Sequence, residues 1–159
     1  FIPDSYAANQ KNKMYLAEEG VFYDVRSESP ETYGGNSRNV ASIDADRDGD
    51  MDLLVNGFRA PPVYLENTQS FENHWVQIQL RGSGENSRAV GARVRLETEE
   101  GSQMRVETCG RGYRSQDDIA LHFGVGEAEE VDVTVRWPAG GEETYEGLEV
   151  DRRHEVRPR

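Results

Sequence analysis

Apolar and polar residues alternate strictly in five stretches of the second half of the chain. Val76, Ile78 and Leu80 alternate with Gln77 and Gln79; Ala92, Val94 and Leu96 with Arg93, Arg95 and Glu97; Met104 and Val106 with Arg105 and Glu107. Leu121 and Phe123 flank His122, and Val131, Val133, Val135 and Trp137 alternate with Asp132, Thr134 and Arg136. A period of two predicts antiparallel strands with one face in a core and the other in water. On this phase Met104, Val106 and Trp137 point inward. Glycine-rich or acidic turns separate the strands at Gly82 to Gly84, Glu99 to Gly101, Gly110 to Gly112, Gly124 to Gly126 and Gly140-Gly141. Short strands around Thr144-Tyr145 and His154 to Val156 complete a small antiparallel β-sandwich or barrel. No segment reads as a helix.

The first half is patterned differently. Lys13 to Leu16 and Val21 to Val25 are aromatic and β-branched runs around a turn at Glu18-Glu19-Gly20, which predicts a hairpin. The pair Tyr15-Leu16 with Phe22 recurs 49 residues later as Tyr64-Leu65 with Phe71. A period near fifty in short strands predicts blades of a β-propeller-like array. Ser27 to Arg38 is polar, with Pro30, Gly34 and Gly35, and is expected to be a surface loop. Asn56-Gly57 ends a strand and Pro61-Pro62 stiffens the next link. The expectation is an all-β chain, with a partial β-propeller-like repeat segment over 1–72 and the small β domain over 73–159. A repeat and a half buries little apolar surface, so the first segment needs the second, or the remaining repeats of a longer parent chain.

Between two short apolar runs, Asn39 to Ile43 and Leu53 to Val55, lies the densest chemistry in the chain. Asp44-Ala45-Asp46-Arg47-Asp48-Gly49-Asp50-Met51-Asp52 places five carboxylates at alternate positions. Calcium takes six to eight oxygen ligands, and a loop offering side chains at positions 1, 3, 5 and 9 and a carbonyl at 7 wraps it. On that register Asp44, Asp46, Asp48 and Asp52 give carboxylate oxygens and Asp50 its main-chain carbonyl. Gly49 falls at the sharp turn. Position 12 is Val55 rather than glutamate and the flanks are strands, so this is not an EF-hand, and waters or a neighbouring carbonyl complete the shell. A solvated acidic turn explains Asp-Gly but not the spacing, because five clustered carboxylates without a cation repel one another.

Composition narrows the partners. Thirty acidic against eighteen basic residues give a net charge of −12, which disfavours nucleic acid and anionic membranes and favours cations. Lys11 and Lys13 are the only lysines, and an acid-rich, lysine-poor surface suits a high-salt habitat. No apolar run approaches bilayer length, so no transmembrane segment is expected. The opening Phe-Ile-Pro is expected to be that of a mature or excised fragment, which leaves room for a signal sequence upstream. Cys109 has no internal disulfide partner and is expected to be a small buried or half-buried residue.

Val40 to Val55, the acidic loop with its flanks, resembles the FG-GAP/VCBS repeat of integrin-like propellers and bacterial surface proteins. From about His74 to Pro158 the chain resembles the ASPIC/UnbV domain. The motifs are His74-Trp75-Val76, Val90-Gly91-Ala92-Arg93-Val94, Gly112-Tyr113-Arg114-Ser115-Gln116, His122-Phe123-Gly124-Val125-Gly126 and Val135-Arg136-Trp137-Pro138-Ala139-Gly140. Val125 stands where the family usually has Leu, and Ala139 where Ser is common. The resemblance implies a secreted or envelope-associated protein with a calcium-bearing propeller and a C-terminal β domain, and brings no catalytic machinery.

The residues point the same way. His74, His122 and His154 lack zinc-site spacing, and no Ser or Cys sits in a nucleophile elbow. Acidic pairs such as Asp117-Asp118 and Glu129-Glu130 are expected as exposed turn residues. The expected function is a non-catalytic, calcium-stabilised interaction or adhesion module, extracellular or in the cell envelope, with a protein or glycan partner. A carbohydrate-binding module stacking sugar on Trp75 or Tyr113 is the alternative, and an accessory to a biosynthetic enzyme a third. Trp137 is expected in the core. Arg111, Tyr113, Arg114 and Gln116 form a polar cluster that serves equally as structural turn or ligand loop.

Overall fold

The computed structural model describes residues 12–18, 20–24, 37–59, 61–68, 73–99 and 101–159, with the side chains of Leu16 and Glu18 left out. The described residues form twelve strands and no helix: an all-β protein. They divide into two compact units. One holds the described residues before Arg47 together with Asp50–Thr68 and Gly110–Asp117; the other holds Arg47–Gly49, the described residues of 69–109, and Asp118–Arg159.

In the first unit, β1 (Tyr15–Glu18) and β2 (Val21–Asp24) form the expected antiparallel hairpin. A second sheet has the order β3 (Ser37–Ile43), β4 (Asp52–Gly57), β5 (Val63–Leu65), all antiparallel. Ser37, Val55 and Asp52 are its most deeply buried side chains. Strand β3 begins inside the segment expected as a loop: Ser37 already pairs with Gly57 and Arg38 falls at the irregularity that follows, while 27–36 lie outside the described residues. Phe71, the second half of the Tyr-to-Phe repeat, also lies outside them.

The second unit is a two-sheet sandwich. Its four-stranded sheet runs β11 (Glu142–Glu149), β10 (Glu130–Arg136), β7 (Arg93–Thr98), β8 (Gly101–Val106), antiparallel throughout. Its three-stranded sheet runs β12 (Arg152–Val156), β6 (His74–Leu80), β9 (Leu121–Gly126). The inward phases of β6, β7, β9 and β10 meet in one core of Val76, Ile78, Val94, Leu96, Phe123 and Val133, all fully buried. Trp137, next in phase after Val135, joins it as expected.

Three features differ from the alternation. Strand β12 runs parallel to β6, with Arg152 opposite Val76 and Val156 opposite Leu80, an arrangement that pattern alone does not distinguish from an antiparallel edge. Strand β8 turns polar residues inward where Met104 is expected: Met104 is 58% exposed, Glu107 just beyond the strand is buried, and Gln103 and Arg105 are half-buried, as is Val106 of the apolar phase. As the edge of its sheet, β8 covers the core rim with groups that find partners there. Gln103 Nε2 donates to the Gly124 carbonyl at 2.6 Å, Arg105 lies 5.2 Å over the Phe123 ring, and Arg88 meets Glu107 at 2.9 Å. Third, Cys109 is exposed rather than buried, because it follows the strand in an open turn.

Candidate functional site

The acidic loop joins β3 to β4, whose last and first residues, Ile43 and Asp52, face each other across the ladder. A strand–loop–strand setting is what the flanking apolar runs require. Arg47 and Gly49 both take positive φ, 68° and 99°, so the chain coils tightly at the tip. Gly49 is fixed a second way: a Cβ there would stand 1.9 Å from Trp75 Nε1. Trp75, half-buried, stacks on His122 with centroids 6.2 Å apart and planes 19° from parallel.

The loop brings together three of the five sequence-predicted ligands. One carboxylate oxygen from each of Asp44, Asp46 and Asp48 lies within 4.8 Å of the others; Asp44 is buried, Asp46 and Asp48 exposed. Oxygens bound to one calcium at 2.3–2.6 Å are at most about 5 Å apart, so this donor set matches the ion in both chemistry and span. Asp52 is not in this group of carboxylates, and Asp50, half-buried, is expected to offer its main-chain carbonyl rather than its side chain.

Asp52 fastens the loop instead. Its carboxylate, 1% exposed, accepts hydrogen bonds from Ala45 N at 3.2 Å, Asn67 N at 2.8 Å and the Tyr64 hydroxyl at 2.7 Å. Burial pushes the acid toward its neutral form, but the bonds from Asn67, Tyr64 and Ala45 outweigh it and hold Asp52 below the usual carboxylate range. The bond to Asp52, with smaller effects from burial and from the Asp52, Asp46 and Glu66 charges, raises the Tyr64 hydroxyl far above an ordinary phenol. Tyr64 and Asn67 were not legible as loop supports: Tyr64 stood out only as a repeat aromatic, and Asn67 carries no signal because its backbone does the work.

The polar cluster at 110–117 belongs to the first unit. It caps the free edge of β3: Asp117 Oδ1 accepts from Ser42 N at 2.9 Å, and the Arg114 carbonyl accepts from Asn39 Nδ2 at 3.2 Å. Within the loop Arg111 N donates to the Ser115 carbonyl and Ser115 Oγ to the Arg111 carbonyl, with Arg111 3.9 Å from Asp117. Arg111, Tyr113, Arg114 and Gln116 are all exposed, and the Arg114 guanidinium lies 5.3 Å over the Tyr113 ring. Asp117, expected as one of a pair of surface acids, is the anchor sequence reasoning missed. Its neighbour Asp118 pairs with Arg153, whose Nε donates to buried Gln77 at 2.7 Å.

Residues 82–159 match the family described as ASPIC and UnbV. Over 110 residues the chain is 33% identical to cartilage acidic protein 1 of Homo sapiens and of Mus musculus, and 30% identical to that of Xenopus tropicalis. Each match covers 67% of this chain but only 16–17% of the relative, so the chain spans about a sixth of the proteins it resembles. Among the described residues no helix is long and apolar enough to cross a membrane.

Proposed function

We propose that the chain is a non-catalytic, calcium-stabilised interaction module of an extracellular or envelope-associated protein, with an FG-GAP/VCBS-type repeat preceding the ASPIC and UnbV domain. The observation that carries this reading is the grouping of Asp44, Asp46 and Asp48 within the span of one calcium shell. These three carboxylates hold the ion and the Asp50 carbonyl completes that side of the loop. The ion supplies charge neutralisation. It lets the loop pack with its acids together and presents the first unit as a rigid surface to a protein partner. Asp52, tied to Tyr64, Asn67 and Ala45, keeps the loop closed around the site. An extracellular setting, where calcium is plentiful, accords with the net charge of −12 and with the name of the cartilage relatives.

The test is a calorimetric calcium titration of chelator-stripped protein beside the double variant Asp46→Ala, Asp48→Ala. One site per chain, lost in the variant and accompanied by a higher melting temperature, is the expected result. An ion that binds the folded state at a hundred times its dissociation constant adds about 2.7 kcal/mol. A melting temperature indifferent to both calcium and chelator would sink the proposal.

A further inference from the structure

The three-stranded sheet of the first unit carries opposite charge at its two ends. Strands β3 and β4 meet the acidic loop at Ile43 and Asp52, whereas Ser37 pairs with Gly57 at the other end, the length of β3 away or about 20 Å. At that far end three arginines gather on two exposed rings. The Arg38 and Arg59 guanidiniums lie 5.4 and 5.1 Å from the centroid of Phe58, which is 55% exposed. One position along β3, the Asn39 side chain donates to the Arg114 carbonyl at 3.2 Å and brings the 110–117 loop to the same end. There the Arg114 guanidinium lies 5.3 Å over Tyr113, itself 63% exposed.

Among the described residues none of Arg38, Arg59 and Arg114 makes an ion pair. In the second unit, by contrast, Arg81, Arg88, Arg153 and Arg157 each meet a carboxylate. With thirty acidic side chains available to eighteen basic ones, unpaired guanidiniums side by side are not a matter of supply. Two of the three are also held in a conformation that a side chain disfavours. Arg59 has φ 56° and Arg114 φ 53°, in the left-handed region where glycine is the relaxed residue. Such strain gathers at ligand-binding places, where the side chain works on something outside the fold.

We propose, resting on the reading of the chain as an interaction module, that this end of the sheet docks a short acidic segment of a protein partner. Guanidiniums fork onto carboxylates, and arginine beside exposed aromatic rings is the composition of protein-interface hot spots. Carboxylates of the segment engage Arg38, Arg59 and Arg114, while Phe58 and Tyr113 cover the apolar side chains between them. The net charge of −12 repels an acidic partner from the rest of the surface and so fixes where it lands. A long polyanion, whether nucleic acid or sulfated polysaccharide, runs off the patch onto that repelling surface; a short segment does not.

The test is fluorescence anisotropy of a labelled glutamate-rich peptide carrying one tyrosine, titrated with the intact chain in calcium buffer, beside a counterpart with glutamine at every glutamate. Saturable binding of the acidic peptide alone is expected, weakening as NaCl screens the exposed charges. Phe58→Ala, and the double variant Arg59→Gly, Arg114→Gly, are each expected to weaken it at least tenfold. Glycine suits both left-handed positions, so the double variant is expected to keep or raise its melting temperature, and lost binding then reports lost guanidiniums rather than lost fold. Calcium uptake is measured by calorimetry on the same samples. Normal calcium uptake without peptide binding overturns the proposal and leaves the metal reading standing; peptide binding by a chain that takes up no calcium supports the proposal and sinks the metal reading. Equal binding of the glutamine peptide, or binding unchanged in both variants, overturns the proposal. Heparin bound at these residues in place of the peptide assigns the patch to a glycan and overturns it too. So does a wild-type dimer in sedimentation that the double variant abolishes, since a second copy then covers the patch.

Discussion

At the scale of single residues, two positions carry more constraint than their chemistry suggests. Gly49 is required both by its φ of 99° and by the Trp75 indole that fills its Cβ position. A left-handed L-residue costs roughly 1–2 kcal/mol and overpacking a further 1–3, so Gly49→Ala is expected to lower stability by about 2–5 kcal/mol in denaturant titration. The turn requirement was legible in Asp-Gly; the second cause was not, since Trp75 is distant in sequence and its phase left it unassigned. Tyr145 and Glu143 set opposite ends of the pH range. Burial, then the bond to Glu143, pushes the Tyr145 phenol up to about 12. The Tyr145 bond and then Arg159 N hold Glu143 below its usual 4.5. The raised phenol favours the folded state fully below pH ~10 and loses that contribution as pH climbs through its folded value. The lowered carboxyl contributes above 4.5 and loses its share as pH falls through its depressed folded value. Because the chain has seven tyrosines, the check is the phenolate difference spectrum between wild type and Tyr145→Phe, with the missing transition expected near pH 12.

At the scale of elements, strands were legible where the apolar phase is also the buried phase, as at Val94 and Leu96 or Val131, Val133 and Val135. Strand β8 shows what alternation does not carry. The pattern says which residues share a face, while the position of a strand in its sheet says which face turns inward. At this edge the inward face is the polar one because Gln103, Arg105 and Glu107 find Gly124, Phe123 and Arg88. Met104→Lys is therefore expected to change stability by no more than about 0.5 kcal/mol, whereas Leu96→Ala should cost about 2–5 kcal/mol. Arg88→Ala, which leaves the Glu107 carboxylate buried without its guanidinium, should cost about 1–3 kcal/mol, the partial exposure of Arg88 moderating the loss. Equal losses for Met104→Lys and Leu96→Ala in urea unfolding would return β8 to the apolar phase. The 110–117 loop is a similar case: its polar, glycine-rich composition marks a turn, but only the bond from Ser42 N to Asp117 reveals that it finishes the edge of β3.

At the scale of the whole molecule, the charge of −12 and the acidic loop make different demands on cations that one experiment separates. Self-repulsion of the net charge is relieved by any salt, gradually, as the Debye length shortens from ~10 Å at 0.1 M to ~3 Å at 1 M. Neutralising Asp44, Asp46 and Asp48 needs a hard divalent ion at one place and saturates with its dissociation constant. Melting temperature is therefore expected to rise smoothly with NaCl up to molar concentration, and separately, in a saturating step, with calcium at constant ionic strength. In the Asp46→Ala, Asp48→Ala protein the calcium step should vanish and the NaCl slope should flatten only slightly, since two of thirty acidic charges are gone. If calcium acted in the double variant as it does in wild type, its effect would belong to the general charge and not to the loop. If NaCl alone reproduced the calcium step, the spacing of the five aspartates would be no more than a solvated turn, and the stability of the first unit would rest on Asp52 and its three hydrogen bonds.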